Sequence, residues 1–412
     1  MQIQLSPALQ NNPNALAAEA IVRNCVHCGF CNATCPTYQL LGDELDGPRG
    51  RIYQIKQVLE GNTPSRSTQQ HLDRCLTCRN CETTCPSGVE YGQLLEIGRT
   101  LVDAQVARPA AEQAVRWVLK EGLPSPLFAP ALKMGQAFRS VLPAALQNKI
   151  PVTAPNLKPW PTATHARKVL LLAGCVQPAM LPNINLATAR VLDAAGIQTH
   201  IAAGAGCCGA LRTHLGDQAG GLADMRRNID AWWPQVQAGA VEAIVMNASG
   251  CGVMVKDYGH ALQADPDYAA KAQSISSMTR DLSELLPELV VALRDKVTTG
   301  LQQKLAFHPP CTLQHGQRLR GGVEAHLSAL GFEVHVAAQE SHMCCGSAGT
   351  YSVLQPALAT QMRDRKLENL APLQADCIVS ANIGCIQHLQ SGTATPVRHW
   401  VEVLEEALFS AS

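Results

Sequence analysis

Crowded cysteines constrain this chain more than any other feature. Cys25-x2-Cys28-x2-Cys31-x3-Cys35-Pro36 recurs as Cys75-x2-Cys78-x2-Cys81-x3-Cys85-Pro86. Three thiolates at intervals of three residues lie in one tight loop and can grip three irons of a single cube. The fourth, where the following proline turns the chain aside, reaches the other cluster. The spacing therefore predicts two cubane [4Fe–4S] clusters with crossed ligation. Cys25, Cys28, Cys31 and Cys85 would hold one, and Cys75, Cys78, Cys81 and Cys35 the other. Structural zinc sites, with two separated cysteine pairs around one tetrahedral ion, do not suit so tight a run.

Composition narrows the setting. The chain has 412 residues, enough for two or three domains, with 33 basic residues balanced by 33 acidic ones. That balance provides no basic field for nucleic acid or anionic lipid, and no nucleic-acid partner is expected. Seventeen cysteines would suggest a disulfide scaffold in a small secreted protein. Here the N-terminal residues lack the basic region and apolar core of a signal peptide, so the expected compartment is the cytoplasm. No run approaches the roughly 18 apolar residues of a membrane span, which leaves at most peripheral membrane association.

Residues 1–100 read as an all-α, helical ferredoxin-like domain. The step of 40 residues from Cys35 to Cys75 is too long for hairpins, and Ile52, Ile55, Val58 and Leu59 recur at helical spacing before a stop at Gly61. Residues 101–166 form a helical, Pro-rich bridge. Val115, Val118 and Leu119 predict one amphipathic helix, and Met134, Ala137, Phe138 and Val141 another, ending near Pro143. Packing against the rest of the chain is the expected use of those apolar faces.

The remainder is a duplicated α/β unit, 167–300 and 301–412, which makes the whole an α+β multidomain chain. Cys311 lies 136 residues after Cys175, Cys344 lies 137 after Cys207, and Cys385 lies 134 after Cys251. Strands and helices alternate in each half, which predicts parallel sheets. Each cysteine follows a strand, where open α/β sheets place their sites. Cys175, Cys207, Cys208 and Cys251 should therefore converge in one half, and Cys311, Cys344, Cys345 and Cys385 in the other. Adjacent cysteines do not form a relaxed disulfide. Four thiolates per half match what a four-iron cluster needs, so one or two further iron–sulfur clusters are expected. A thiol site for a substrate or for a partner's cofactor is the competing reading. Cys377 stands opposite Ala243 in the duplication and reads as a core residue, not a ligand.

Other residues invite roles. His308 replaces Leu172 of the first half. It suits a cluster ligand, a proton carrier or a donor to sulfur, and equally a satisfied histidine at a strand end. His342, opposite Ala205, invites the same readings. Arg49 and Arg51 could offset cluster charge, although a solvated surface pair is the commoner case. Asn247 and Asn382 read as turn residues that accept left-handed backbone.

Paired CxxCxxCxxxCP motifs, a helical link and two CCG modules resemble the iron–sulfur subunits of bacterial glycolate oxidases over roughly residues 20–410. The stretches CVHCGFCNATCPTY, DGPRGRIYQIK, CLTCRNCETTCPSGVEYG, HPPCTLQHGQ and CCGSAGTYS carry the likeness. The resemblance implies an electron-transfer subunit without catalytic residues for the hydroxyacid. Glycolate, or D-lactate second, would be oxidised at the FAD of a partner subunit. Electrons would then pass towards a quinone-type acceptor at the inner face of the cytoplasmic membrane, reached through partners. The absence of a GxGxxG after any strand fits such a relay. Alternatives are a subunit of a related lactate or glycerol-3-phosphate dehydrogenase, a heterodisulfide-reductase-like catalytic subunit, or a non-catalytic sensor or scaffold. The reductase module ends in CxxC. Here Cys251 and Cys385 stand alone, with Ala248 and Asn382 three residues before them and Met254 and His388 three after, which argues against disulfide reduction.

Overall fold

The computed structural model describes residues 1–139, 158–297 and 302–409. The first hundred residues are helical. Pro48–Leu59 starts on a proline at its first turn and stops before Gly61, whose φ of +97° suits a residue without Cβ. Its buried stripe of Ile52, Ile55, Val58 and Leu59 packs on Val22 of Pro13–Asn24 and on Leu94 and Leu95 of Tyr91–Asp103. These three helices are the frame from which both cysteine loops hang.

The two α/β halves have the same topology. In the first, β1 (Arg167–Leu171), β2 (Ile197–His200), β3 (Ala243–Met246) and β4 (Thr279–Asp281) form a parallel sheet in the order β2-β1-β3-β4. In the second, β5 (Lys304–Phe307), β6 (Glu333–Val336), β7 (Cys377–Ser380) and β8 (Val397–His399) repeat it as β6-β5-β7-β8. The registers match as well: Val169 pairs with Ala243, and Leu305 with Cys377. The short fourth strands, three residues each, escape the periodicity argument because so few residues carry no pattern.

Both sheets feed one continuous apolar core running from Val169 and Leu171 through Leu289 and Leu305 to Val379 and Trp400. Hydrogen bonds stitch the halves across it: Ser249 N donates to the Ala381 carbonyl (3.0 Å), and His399 Nε2 lies 2.9 Å from the Asn247 carbonyl.

Two expectations are corrected here. The bridge helices Ala110–Gly122 and Phe128–Ala137 form, but they bury none of their residues. Val118 is 57% exposed, Met134 62% and Phe138 60%. The first of these helices turns its charged face inward instead. Arg116 pairs with Asp73 (3.1 Å), Lys120 with Asp217 (2.9 Å) and Glu121 with Arg212 (2.6 Å). Val141 and Pro143 lie outside the described residues. Asn247 and Asn382 are not left-handed turn residues. Asn382 is extended at φ −153°, and Asn247 is a buried hub bonded to Gln177, Asn185 and Thr188.

Candidate iron–sulfur centres

The two N-terminal cysteine loops share one backbone. The second and fourth residues after the leading cysteine are left-handed in both: His27 (φ +59°) and Gly29 (+86°), Thr77 (+54°) and Arg79 (+58°). Three of these four carry a Cβ, and for such residues the conformation costs about 1–2 kcal/mol each. A loop strained in this way turns successive amides towards its centre, as anion-binding nests do, and a four-thiolate cluster is an anion. Gly29 has a further constraint, because an added Cβ would lie 2.6 Å from the Arg49 guanidinium.

The thiols gather in two crossed sets. Cys25, Cys28, Cys31 and Cys85 line one cleft, with Cys81 of the other set at its wall. Burial pushes the Cys31 thiol up to about 12, and the neighbouring Cys25, Cys85 and Cys28 add to it. Cys35 sits with the other loop. Burial raises Cys78 and Cys81 well above the ordinary thiol range, with Cys75 and Cys35 among the neighbours of both. Thiols packed this closely cannot all ionise without a cation among them, and a metal cluster supplies that charge. The donor set fits two [4Fe–4S] clusters.

The two centres differ in exposure. Around the first, Cys28 is exposed and is flanked by Val26 (68% exposed) and Phe30 (62%). The second is enclosed. Tyr91 donates its hydroxyl to Cys75 Sγ (3.6 Å), and Thr37 Oγ1 lies 3.2 Å from Cys35 Sγ. Arg51 is fully buried behind them. It donates to Thr37 Oγ1 (3.1 Å) and the His71 carbonyl (2.7 Å) and pairs with Asp46 (3.3 Å). Burial works against its charge, but the nearby Tyr91, Cys75, Cys35 and Asp46 hold the guanidinium above its ordinary range. Arg51 is therefore not a solvated surface residue. Arg49 is partly exposed and clamped by Glu44 (2.6 Å). A sequence signal for Arg51 existed: it lies on the same helical stripe as Ile55 and Val58.

In the C-terminal halves the cysteines collect above the carboxyl ends of the strands. The first half brings Cys175, Cys207, Cys208 and Cys251 into a chain of successive thiol contacts. The Cys175 and Cys208 side chains, helped by the Gly209 and Leu211 amides, hold Cys207 well below the ordinary thiol range. The second half repeats the chain. Cys311 and Cys344 are 3.7 Å apart through sulfur, Cys344 adjoins Cys345, and Cys345 adjoins Cys385. The glycine after each pair is required. Gly209 and Gly346 have φ of +93° and +89°, and an added Cβ would meet a helix carbonyl at 2.8 Å and 2.5 Å. Cys377 is fully buried in β7, away from this chain of thiols, as a core residue should be.

Among the described residues the second half packs its own cysteines on the enclosed centre, whereas the first half reaches that loop through the Asp257–Arg79 ion pair (3.5 Å). Cys311, Cys344, Tyr351 and Met362 form one apolar cluster with Leu76, with Cys78 packed against it. The π-helical turn Thr312–Gly316 follows Cys311 and presents His315, whose Nδ1 lies 2.9 Å from Thr83 Oγ1 and whose Nε2 lies 2.8 Å from the His342 carbonyl. His342 is engaged here through its carbonyl, which Asn80 Nδ2 also approaches at 3.5 Å. Lys366, which sequence reasoning missed, is 3% exposed; its ammonium donates to the Glu340 and Ser341 carbonyls, near enough to Cys345, Cys344 and Cys311 for their charges to act on it. It occupies the buried stripe of Pro356–Leu370 beside Met362 and Leu370, the same signal as Arg51. His308 is 1% exposed, and burial holds its pKa down at about 3, so the imidazole is neutral.

These features define an iron–sulfur protein in which a dicluster domain is joined to a duplicated cysteine-rich α/β unit. Residues 21–89 match the model of the 4Fe-4S dicluster domain, and residues 169–256 and 305–390 each match that of the cysteine-rich domain called CCG. The chain is 54% identical to the glycolate oxidase iron-sulfur subunit of Escherichia coli K12 across 99% of both chains. It is 29% identical to the probable glycolate oxidase iron-sulfur subunit of Bacillus subtilis 168, over 93% of this chain and 92% of the relative. Lactate utilization protein A of Bacillus velezensis is 30% identical over 54% of this chain and 90% of its own length. The chain belongs to the family of glycolate oxidase iron–sulfur subunits. It is thus a subunit of an oxidoreductase complex and holds two [4Fe–4S] clusters.

Proposed function

We propose that this chain relays electrons in a glycolate-oxidising complex, from the FAD of a partner subunit through both ferredoxin-type clusters and the second cysteine-rich half towards a quinone-type acceptor. In this reading Cys25, Cys28, Cys31 and Cys85 ligate the first cluster, and Cys75, Cys78, Cys81 and Cys35 the second. Cys311, Cys344, Cys345 and Cys385 offer the thiolates for a further one. Cys175, Cys207, Cys208 and Cys251 are the corresponding set of the first half. The units are 1–100, 101–166, 167–300 and 301–412. The single observation that carries the route is the packing of Cys78 against the apolar cluster of Cys311 and Cys344, which puts thiols of two centres in one dry contact.

The exposed rim at Val26, Cys28 and Phe30 supports electron exchange with a partner at the first cluster. Among the described residues no helix is long and apolar enough to cross a membrane. The outward apolar residues Trp117, Val118, Leu127 and Met134 support attachment at the cytoplasmic membrane face through partners. Disulfide reduction would need thiols open to a substrate, whereas Cys311, Cys344, Cys345 and Cys385 are all 8% exposed or less.

Freeze-quench EPR on the intact complex tests the relay. Mixing with glycolate should reduce the ferredoxin-type clusters, and the chain separated from its flavin subunit should stay oxidised. Reduction of the separated chain by glycolate would sink the proposal.

A further inference from the structure

One rung of each sheet differs between the halves in a concerted way. Just past the β1–β3 pairing, Leu172 N donates to the Val245 carbonyl (3.3 Å). At the same place in the second half His308 N donates to the Val379 carbonyl (2.8 Å). The residues that follow those two carbonyls are Met246 and Ser380. An apolar pair, Leu172 and Met246, is thus replaced by a polar pair, His308 and Ser380, with the backbone unchanged.

The polar pair is wired in one sense. Ser380 Oγ donates its single hydrogen to the His308 carbonyl (3.0 Å), so towards His308 Nδ1, 3.2 Å away, it can only accept. Nδ1 therefore carries the ring proton and Nε2 a lone pair. Nε2 is buried without a hydrogen-bond partner, which is rare enough in folded proteins to need an explanation. It cannot donate to a sulfur, because it has no hydrogen, and with no polar partner it has no route for passing a proton. What remains close is metal-binding chemistry: His308, Cys345 and Cys385 offer one ligand atom each, all within 4.8 Å of one another and all buried. A histidine that ligates metal through one nitrogen while its other N–H is held by a neighbour is the usual arrangement.

We propose that His308 ligates iron through Nε2 beside Cys345 and Cys385, so that in the second half an imidazole takes the place of one thiolate on the cluster, whereas the first half offers thiolates alone. This rests on the reading, proposed above, that the second half carries a cluster. A neutral imidazole in an otherwise thiolate shell raises the reduction potential, as histidine does in Rieske centres. The second half then becomes the electron sink next to the enclosed cluster, which gives the relay its direction.

Pulsed EPR and metal analysis of the intact complex, with and without ¹⁵N-histidine, test the assignment. A directly bound histidine nitrogen should couple to one paramagnetic centre. His308→Leu, which copies Leu172, should abolish that coupling and leave the ferredoxin-type signals intact. His308→Cys, which keeps a donor in place, should retain the iron count and still lose the coupling. Absence of histidine coupling in the wild type, or its survival in either variant, overturns the proposal. Cys385→Ser separates this failure from that of the underlying reading. It should lose about four irons if the second half holds a cluster. Loss of zinc, or of no metal, overturns the cluster reading and the ligation together.

Discussion

The two cysteine-rich halves have the same sheet order, the same chain of four thiols and the same strained glycine, yet they face different neighbours. The first meets the helical part of the chain through partly exposed ion pairs: Asp257 with Arg79 (3.5 Å), His214 with Glu96 (3.5 Å) and Asp217 with Lys120 (2.9 Å). The second meets it through a dry cluster in which its own cysteines lie against Leu76 and Cys78. Beside its paired cysteines the first half places Asn228, whose Nδ2 donates to the Cys207 carbonyl (2.7 Å), whereas the second has His308 beside Cys345 and the buried charge of Lys366 nearby. Duplication supplied two equal scaffolds. What was packed against each one made them unequal: among the described residues, the cysteines of the second half alone lie in one apolar cluster with a thiol of the enclosed centre.

The strongest way to break that contrast is to disturb the enclosed cluster from behind. Arg51→Met removes a fully buried cation and leaves Asp46 with Arg74 as its remaining guanidinium partner (2.8 Å). A loss of about 3 kcal/mol is expected, the lower end for breaking a buried pair. Denaturant unfolding should show it, and EPR should show changes at the enclosed cluster and the second half with the first half unaffected. An equal response from both halves would refute the contrast.

Next in size is the comparison of matched cysteines. Cys344→Ser should slow glycolate-to-quinone turnover of the complex by at least about 100-fold, the upper range for damage to a metal site's environment. Cys207→Ser should cost less than about tenfold on the same scale. Equal losses would put the first half on the route too.

The smallest effect probes what the halves still share. Gly209→Ala and Gly346→Ala both force a Cβ into positive φ, and each should destabilise its turn by about 1–3 kcal/mol. Matched drops in melting temperature would confirm that the two turns are interchangeable. A drop confined to one would move the asymmetry down to the backbone.

Much of this was legible in the sequence because spacing carries it. Three-residue cysteine intervals imply a loop, near-equal offsets imply a duplication, and cysteines after strands imply a site at the sheet's carboxyl edge. Other features were hidden because they depend on which face turns inward. Periodicity marks Val115 and Val118 as an apolar stripe, but the ion pairs of Arg116, Lys120 and Glu121 decided that the opposite face is the docked one. Arg51 and Lys366 were readable in principle as charges on apolar stripes. Their roles were not, since the thiols near them come from distant segments.

The sequence by itself determined the clusters, the helical frame that carries them and the twofold α/β repeat, since covalent spacing limits what nearby side chains can reach. Only the tertiary structure decided which half lies against the enclosed cluster, which helix face is left bare, and that the nitrogen of His308 is left unpartnered beside two thiols. Those outcomes depend on contacts between residues far apart in the chain. Such contacts follow from how whole surfaces pack, which no local pattern encodes.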